Sequence, residues 1–327
     1  MDASTAIKKF GLEQAFNYLY KDPDKNLVKL MDWADKFAGG EFVTQRNIIR
    51  EAITAPEHPY YPFIRRLVKD IDPEVMKTIA VNFFVNASLV GWPRQEACRA
   101  KYGCNIPWAI LLDPTSACNL HCTGCWAAEY GNKLNLTYEE IDSIITQGKE
   151  LGVYMYIYTG GEPLARKKDI IRLCEKHSDC IFLCFTNATL IDETFADEML
   201  RVKNFVPAIS LEGNEEATDG RRGKGVYKKV MTAIELLRRK KLVYGISSCY
   251  TSANFASITS EEYFDQLIDL GCYFTWYFHY MPVGNDAAPA LSHAGEPPAA
   301  AGDGGQDRCA FHRSGIPGKC GASVCQV

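Results

Sequence analysis

Three cysteines lie close together in this chain, at positions 118, 122 and 125, with the spacing Cys-x3-Cys-x2-Cys. They follow an apolar run, Trp108 to Leu112, that is typical of a buried strand. Three thiolates at this spacing are able to hold one metal centre, whereas a structural zinc ion or an ordinary iron–sulfur cluster takes four protein ligands. A four-iron cluster held by three cysteines leaves one iron open to bind another molecule. Two alternatives stay open: an iron–sulfur electron-transfer or carrier protein, and a zinc-stabilised binding module with a fourth ligand such as His121.

The composition indicates a cytoplasmic protein with an ordinary globular core. The chain has 327 residues, of which 47% are hydrophobic and 23% charged, and its net charge is −4. No basic excess points to nucleic acid, and neither a signal peptide nor a convincing membrane span is expected. The 13 cysteines favour a reducing, anaerobic cell over a disulfide framework. The scattered ones, such as Cys249, are predicted to be small buried hydrophobic residues.

Residues 1–106 are predicted to form an all-helical N-terminal region, because apolar residues recur there at helical spacing. Five helices are expected, and Gly91-Trp92-Pro93 is expected to break the last of them. No catalytic constellation is visible in this region. It is expected to pack against the rest of the protein as a cap or a partner surface.

Residues 107–286 alternate between strands and helices, which predicts an α/β fold with a parallel sheet. The six predicted strands cover residues 108–113, 153–158, 180–185, 205–211, 243–250 and 272–280. Polar and glycine residues recur just after the carboxyl ends of these strands, as they do at the active face of barrels. Six βα units fit either a partial barrel or a doubly wound sheet.

With the three cysteines after the first strand and Gly160-Gly161-Glu162-Pro163 after the second, the chain closely resembles the radical S-adenosylmethionine (radical SAM) superfamily. The resemblance implies a partial (β/α)6 TIM-like barrel. It also implies that Cys118, Cys122 and Cys125 ligate a [4Fe–4S] cluster and that S-adenosylmethionine chelates the fourth iron. An electron from the cluster would then cleave S-adenosylmethionine, and the resulting 5′-deoxyadenosyl radical would abstract hydrogen from a substrate.

The same resemblance assigns candidate cofactor-binding residues. Gly160 and Gly161 would let the backbone approach the methionine amino group, and Glu162 would accept from that group. The other candidates are Asn187, Ser210 and Glu212, for the ribose and methionine, and Arg222, for the methionine carboxylate. For Asn187, Ser210 and Glu212 the alternative is that they cap the strand ends. For Arg222 the alternative is a solvated charge pair with Arg221 in a glycine-flanked loop. His279 and Tyr280 are expected near the adenine and substrate pocket.

The cysteine motif departs from the family pattern at one position. Many members carry an aromatic residue just before the third cysteine, where this chain has Gly124 and places Trp126 after that cysteine. Trp126 is expected to supply the missing aromatic surface. The expected partners are a reductant such as ferredoxin or flavodoxin and an unknown peptide or small-molecule substrate, with no nucleic acid and no membrane.

The amino-acid composition changes after Asp286. Residues 287–327 are rich in alanine, proline and glycine and include three irregularly spaced cysteines, which predicts a disordered tail. A one-base shift across residues 292–296 would give Pro-Thr-Pro-Glu, a favourable helix start. We therefore hypothesise that the tail is a frameshifted translation. In that case we expect the barrel to be complete but this chain to be inactive.

Overall fold

The fold was taken from a computed structural model that describes residues 3–38, 40, 43–282 and 323–326. The chain begins with helices and continues as alternating strands and helices. The lead-in helices are α1 (Ala3–Leu19), α2 (Pro23–Ala38), α3 (Val43–Thr54), α4 (Tyr61–Lys69), α5 (Pro73–Ala80) and α6 (Trp92–Tyr102). A π-helical segment, Val81–Gly91, joins the last two.

Six parallel strands pair in the order in which they occur along the chain. They are β1 (Ala109–Leu112), β2 (Met155–Tyr158), β3 (Ile181–Thr186), β4 (Phe205–Ser210), β5 (Gly245–Tyr250) and β6 (Phe274–His279). The connecting helices are α7 (Tyr138–Glu150), α8 (Lys167–Lys176), α9 (Glu193–Val202), α10 (Glu215–Arg222), α11 (Val226–Arg239), α12 (Phe255–Ile258) and α13 (Glu261–Asp269). A sequential strand order belongs to a partial barrel, because a doubly wound sheet reverses its order at a switch point.

Local sequence signals explain where several of these helices begin. Thr137 caps α7, and its hydroxyl accepts from the backbone N–H of Glu140, whose carboxylate accepts from Thr137 in return. This is the predicted capping box. Asp192 and Ser260 cap α9 and α13 through the same kind of side-chain bond. These caps fix the entry into each helix, and hence the length of the strand–helix loop before it.

The sheet buries apolar side chains on both faces, as expected for parallel strands. One face packs against α7 to α9 and α11 to α13 in the large core, which includes Tyr156, Tyr158 and Phe182. The opposite, inner face carries a second cluster around Leu183 and Val206. We therefore expect the functional residues at the carboxyl ends of the strands and on the inner face next to them.

The lead-in helices pack against the amino-terminal ends of the strands. Two buried asparagines of the π-helical segment, Asn82 and Asn86, donate to backbone carbonyls of residues 178–180, which precede β3. Gln95 donates to the carbonyl of Gly152, before β2, at 2.8 Å. These bonds lie at the amino-terminal ends of the strands. The cysteine loop, which follows β1, therefore lies at the opposite end of the sheet.

Two expectations about helices were wrong. Gly91-Trp92-Pro93 does not break the fifth helix, because Gly91 has ordinary helical dihedral angles and Pro93 lies in the first turn of α6, where proline is tolerated. The resulting helical stretch, Pro73–Tyr102, is long and apolar enough to span a membrane by length and composition alone, with 44% of its apolar window buried in the protein. Arg221 and Arg222 lie in the last turn of α10, not in a loop.

The tail lies largely outside the described residues. Within residues 287–327, the structure describes only β7 (Ser323–Gln326). This strand pairs in parallel with β6. These four residues therefore form a strand, whereas the composition predicted no regular structure there. The frameshift hypothesis and the cysteines at 309 and 320 fall on residues that the structure does not describe.

Candidate functional site

The loop after β1 carries the three cysteines, and it is fastened at its base to the segment before α7. The Thr115 hydroxyl lies 2.6 Å from Asn135 Oδ1 and accepts from the N–H of Ala117 at 3.0 Å. The N–H of Ser116 donates to the carbonyl of Leu134 at 2.8 Å. The start of the loop is therefore fixed immediately before Cys118.

Gly160 and Gly161 bring the loop after β2 against this cysteine loop. The N–H of Gly161 donates to the carbonyl of Thr115 at 2.9 Å. A Cβ on Gly161 would lie 2.4 Å from the carbonyl oxygen of Ala117, and one on Gly160, whose φ is +103°, 2.7 Å from that of Thr115. The glycines thus permit a close approach between two protein backbones. The predicted approach to a methionine amino group stays a prediction.

The Glu162 carboxylate is buried and braces the loops that follow β2 and β3. Its Oε1 accepts from the N–H of Leu164 at 2.9 Å and from the Thr186 hydroxyl at 2.7 Å. Its Oε2 accepts from the N–H of Asn187 at 2.8 Å. Burial raises the pKa of Glu162 despite these three donors. One acceptor position on Oε2 is left for a cationic guest.

Asn187 reaches from the end of β3 to the cysteine loop. Its Nδ2 donates to Asn119 Oδ1 at 2.9 Å and lies 4.0 Å from Cys118 Sγ. Its Oδ1 accepts from the N–H and the hydroxyl of Thr189, at 3.0 and 2.7 Å. The side chain predicted to contact ribose is therefore already in contact with the first cysteine.

The cysteine thiols are free and partly buried. Burial raises the pKa of Cys118, although the N–H of Leu120 donates to its sulfur at 3.5 Å. Burial also raises the pKa of Cys122 and outweighs the nearby guanidinium groups of Arg222 and Arg221. Arg222 Nη1 lies 3.9 Å from Cys122 Sγ. These N–H groups and cations would stabilise thiolate ligands once a metal centre had displaced the protons.

Glu212 follows β4 and forms a buried ion pair with both arginines of α10. Its Oε1 accepts from Arg221 Nη1 at 2.5 Å and from Arg222 Nε at 2.8 Å. Its Oε2 accepts from the N–H of Cys249 at 2.9 Å. Burial by itself would raise the pKa of Glu212, but the guanidinium groups of Arg222 and Arg221 hold it below its usual range. Arg222 thus joins Glu212 to Cys122.

Ser210 lies at the end of β4, where it pairs in register with Ser247 of β5. Its hydroxyl alternates along the strand with buried Ile209 and Leu211, so it belongs to the same face of the sheet as Ala208 in the inner cluster. Ser210 therefore lies on the inner side of the carboxyl end of the sheet, as its predicted role requires.

Tyr280, just after β6, occupies the space beside Gly124. Gly124 has a φ of +68°, and a Cβ there would lie 2.4 Å from Tyr280 Oη. Tyr280 is buried, whereas Trp126 is 45% exposed and contacts Tyr130 at 5.9 Å between ring centroids. The aromatic side chain that packs on the cysteine loop at this position is thus Tyr280. No local pattern in the sequence predicts this contact, since 156 residues separate the two positions.

Two other features of the site are not predicted from the sequence. Cys249 is predicted only as a scattered hydrophobic residue, yet its backbone N–H donates to Glu212. Arg221 is not a solvated charge, because its side chain is only 14% exposed and is paired with Glu212. Its Nε has no hydrogen-bond partner among the described residues. The helical spacing of Asn214 as N-cap and Arg221 and Arg222 in the last turn could have revealed α10.

The donor set suits a sulfur-ligated cluster. Three free thiols share one loop, and N–H donors or a guanidinium approach two of them, which is how proteins stabilise iron–sulfur centres. Among the described residues, no three His, Cys, Asp or Glu side chains converge closely enough to hold a single metal ion. His121, the proposed fourth zinc ligand, is exposed.

Comparisons with known proteins agree with this arrangement. The family model described as the Radical SAM superfamily matches residues 112–271. An AdoMet-dependent heme synthase of Methanosarcina barkeri is 27% identical over 186 residues, which cover 55% of this chain and 52% of that protein. A cysteine-type anaerobic sulfatase-maturating enzyme of Clostridium novyi is 29% identical over 161 residues, 42% of each chain. The chain thus spans about half of these relatives or less.

A solved structure supports the fold. The crystal structure of Streptococcus suis SuiB bound to S-adenosylmethionine matches with a TM-score of 0.52 and 19% identity, over 88% of this chain and 58% of that one. At this identity the match concerns the fold alone. The family model, the relatives and the six-stranded partial barrel all lead to one assignment. Through its α/β region the chain belongs to the radical SAM superfamily, whose members similar to it are enzymes.

Proposed function

We propose that this protein binds a [4Fe–4S] cluster through Cys118, Cys122 and Cys125 and S-adenosylmethionine at the remaining iron, and that it acts as a radical SAM enzyme. The observation that carries the proposal is that the loop with the three free thiols packs, through backbone hydrogen bonds, against the Gly160-Gly161-Glu162 loop at the carboxyl ends of the strands. When bound, the cluster would supply the electron that cleaves S-adenosylmethionine to methionine and a 5′-deoxyadenosyl radical.

The residues around the cysteines would bind and orient the cofactor. The free acceptor position on Glu162 suits the methionine amino group, and Arg222 suits its carboxylate. Because Arg222 already donates to Glu212, a bound carboxylate would share that guanidinium. Ser210, on the inner side, remains the candidate for a ribose hydroxyl.

The inner face of the strands would keep water from the reaction. Phe185 packs edge-to-face against Trp276 and Phe278, with centroids 5.4 and 5.1 Å apart. An apolar wall of this kind protects a reactive intermediate from solvent. The substrate, a peptide or a small molecule, would enter on this side, and a ferredoxin or flavodoxin would supply the electron.

Anaerobic reconstitution with iron and sulfide tests the proposal. We expect about four irons per chain and, after reduction in the presence of S-adenosylmethionine, release of 5′-deoxyadenosine. The variant with Cys118, Cys122 and Cys125 all replaced by alanine should bind no cluster, whereas Cys174→Ala, a change at a buried cysteine of α8, should keep it. A cluster that forms without cofactor cleavage would support an electron-transfer or carrier protein instead.

A further inference from the structure

Asn187 has the geometry of a positioning residue for the iron–sulfur cluster. We propose that Asn187, held in place by the buried Glu162 carboxylate, directs an N–H group at Cys118 and raises the reduction potential of the cluster, and that it does not bind S-adenosylmethionine. This inference rests on the proposed function, because it requires the cluster to be present.

All the hydrogen-bonding groups of the Asn187 side-chain amide already have partners. Its Oδ1 accepts from both the N–H and the hydroxyl of Thr189. Its Nδ2 donates to Asn119 Oδ1 and faces Cys118 Sγ. An amide has two donor hydrogens and two acceptor lone pairs, so all four are in use. A ribose hydroxyl would have to displace one of these partners.

The orientation of this amide is set by its partners. A backbone N–H only donates, so the atom that faces the N–H of Thr189 must be the oxygen, and the NH2 group must face Asn119 and Cys118. Asn119 Nδ2 donates in turn to the Thr189 hydroxyl at 2.8 Å, which closes a ring of hydrogen bonds. A flipped amide would place its oxygen against the oxygen of Asn119. The donor is therefore held toward the sulfur.

Glu162 fixes the backbone of Ala117, which precedes Cys118, and the backbone of Asn187, whose amide faces it. Glu162 Oε2 accepts from the N–H of Asn187, and the N–H of Glu162 donates to the carbonyl of Ala117 at 2.8 Å. Glu162 thus connects the residue before the cysteine to the residue whose amide faces it. The carboxylate is only 1% exposed, so its bonds face little competition from water.

An N–H group directed at a cluster ligand changes the energy of reduction. Reduction adds one electron, supplied in solution by a redox mediator, and makes the cluster and its thiolates more negative. A donor at Cys118 stabilises this reduced form more than the oxidised form, and so it raises the potential. Its loss should make the cluster harder to reduce.

The test compares Asn187→Leu with the unmodified chain, both reconstituted anaerobically and without S-adenosylmethionine. The substitution adds no charge and is similar in size, but it removes the Nδ2 donor. The midpoint potential is measured by a redox titration followed by electron paramagnetic resonance. We expect a more negative potential with unchanged iron content. Asn214→Leu, which makes the same change at the exposed N-cap of α10, should leave the potential unchanged.

The opposite result is equally clear. An unchanged potential in Asn187→Leu, together with a loss of about tenfold in affinity for S-adenosylmethionine, the effect of about one hydrogen bond, would make Asn187 a cofactor ligand and overturn the inference. If that variant takes up no iron, Thr189→Ala, which frees the amide from its orienting hydroxyl, decides by the same measurement. Failure of the unmodified chain to form a cluster would instead refute the proposed function.

Discussion

At the residue scale, the site depends on a few buried polar groups, of which Glu212 is the most heavily bonded. It accepts from two guanidinium groups and from one backbone N–H. An ion pair of this kind is sensitive to the loss of either partner, because the group left behind stays buried and unpaired. Glu212 therefore controls the position of Arg222 beside Cys122.

The pKa of Glu212 gives a prediction about acid stability. Because its folded-state pKa lies below the ordinary value of 4.5, the ionised carboxylate stabilises the fold above that value, and this contribution is lost as the pH falls through the lowered folded-state pKa. Glu212→Gln should lower the free energy of unfolding at neutral pH by about 3–5 kcal/mol, since it leaves two buried arginines unpaired.

Urea unfolding at a series of pH values measures this effect. The difference between the variant and the unmodified chain should shrink as the pH falls below about 4.5, because the unmodified chain then loses the same charge. A difference that stays constant down to pH 3 would show that folding does not shift the pKa of this carboxyl, and it would contradict the prediction.

Gly161 allows a second prediction at the residue scale. Gly161→Ala would place a methyl group 2.4 Å from the carbonyl of Ala117, so the two loops must separate. We expect a destabilisation of about 1–3 kcal/mol and a lower iron content after reconstitution. Gly220→Ala is the matched control, since nothing lies within 4 Å of its added Cβ and alanine favours the helix. Full iron loading in Gly161→Ala would contradict the close packing of the loops.

At the scale of elements, the helix that contains the π-helical segment attaches the lead-in region to the barrel. Asn82 makes two 2.9 Å bonds, to the carbonyls of Ser178 and Cys180. These bonds hold the turn that enters β3, the strand whose other end carries Asn187. The amino-terminal region thus supports the site indirectly, through the position of a strand.

Asn82→Ala should therefore weaken the fold without removing any residue from the site. The Ser178 carbonyl would lose the Asn82 donor, and the Cys180 carbonyl would keep only the bond from Asn204, which should cost about 1–3 kcal/mol of unfolding free energy. Thermal unfolding followed by circular dichroism measures the change. Gln147→Ala, which removes an exposed side-chain bond in α7, should change stability by less than about 0.5 kcal/mol. Equal stabilities of the two variants would argue against the docking role.

At the scale of the whole molecule, the contact between Gly124 and Tyr280 joins the loop after the first barrel strand to the end of the sixth. β1 and β6 are not neighbours in the sheet, so this contact connects distant strands of the partial barrel across its carboxyl face. The Thr123 N–H also donates to the carbonyl of Arg221 at 2.8 Å. The cysteine loop is therefore held from several sides of the barrel.

A double-mutant cycle tests this contact. Gly124→Ala should destabilise the chain through the clash with Tyr280 and through the positive φ, and Tyr280→Ala should destabilise it by leaving a cavity. Because the second change removes the clash, the double variant should lose less stability than the sum of the two single variants, by about 0.5–3 kcal/mol. Additive losses would show that the two residues do not touch.

The sequence by itself determined the class of the protein and its six βα units, and it predicted which three cysteines hold a cluster. Local signals carry this information: apolar runs define strands, caps such as Thr137 define helices, and the Cys-x3-Cys-x2-Cys spacing lies within one loop. The partial barrel was confirmed by the sequential order of the strands. The roles of Gly160, Gly161 and Arg222 in binding the cofactor remain predictions.

Only the tertiary structure decided what those loops contact. Gly161 meets Ala117, Asn187 reaches Cys118, and Tyr280 fills the space beside Gly124, although 44 to 156 residues separate the members of each pair. Residue type fixes what a side chain is able to bind, but the packing of several strand ends fixes which partner it meets. A sequence pattern records the first property and not the second, because nothing in the local spacing reports a contact across the barrel.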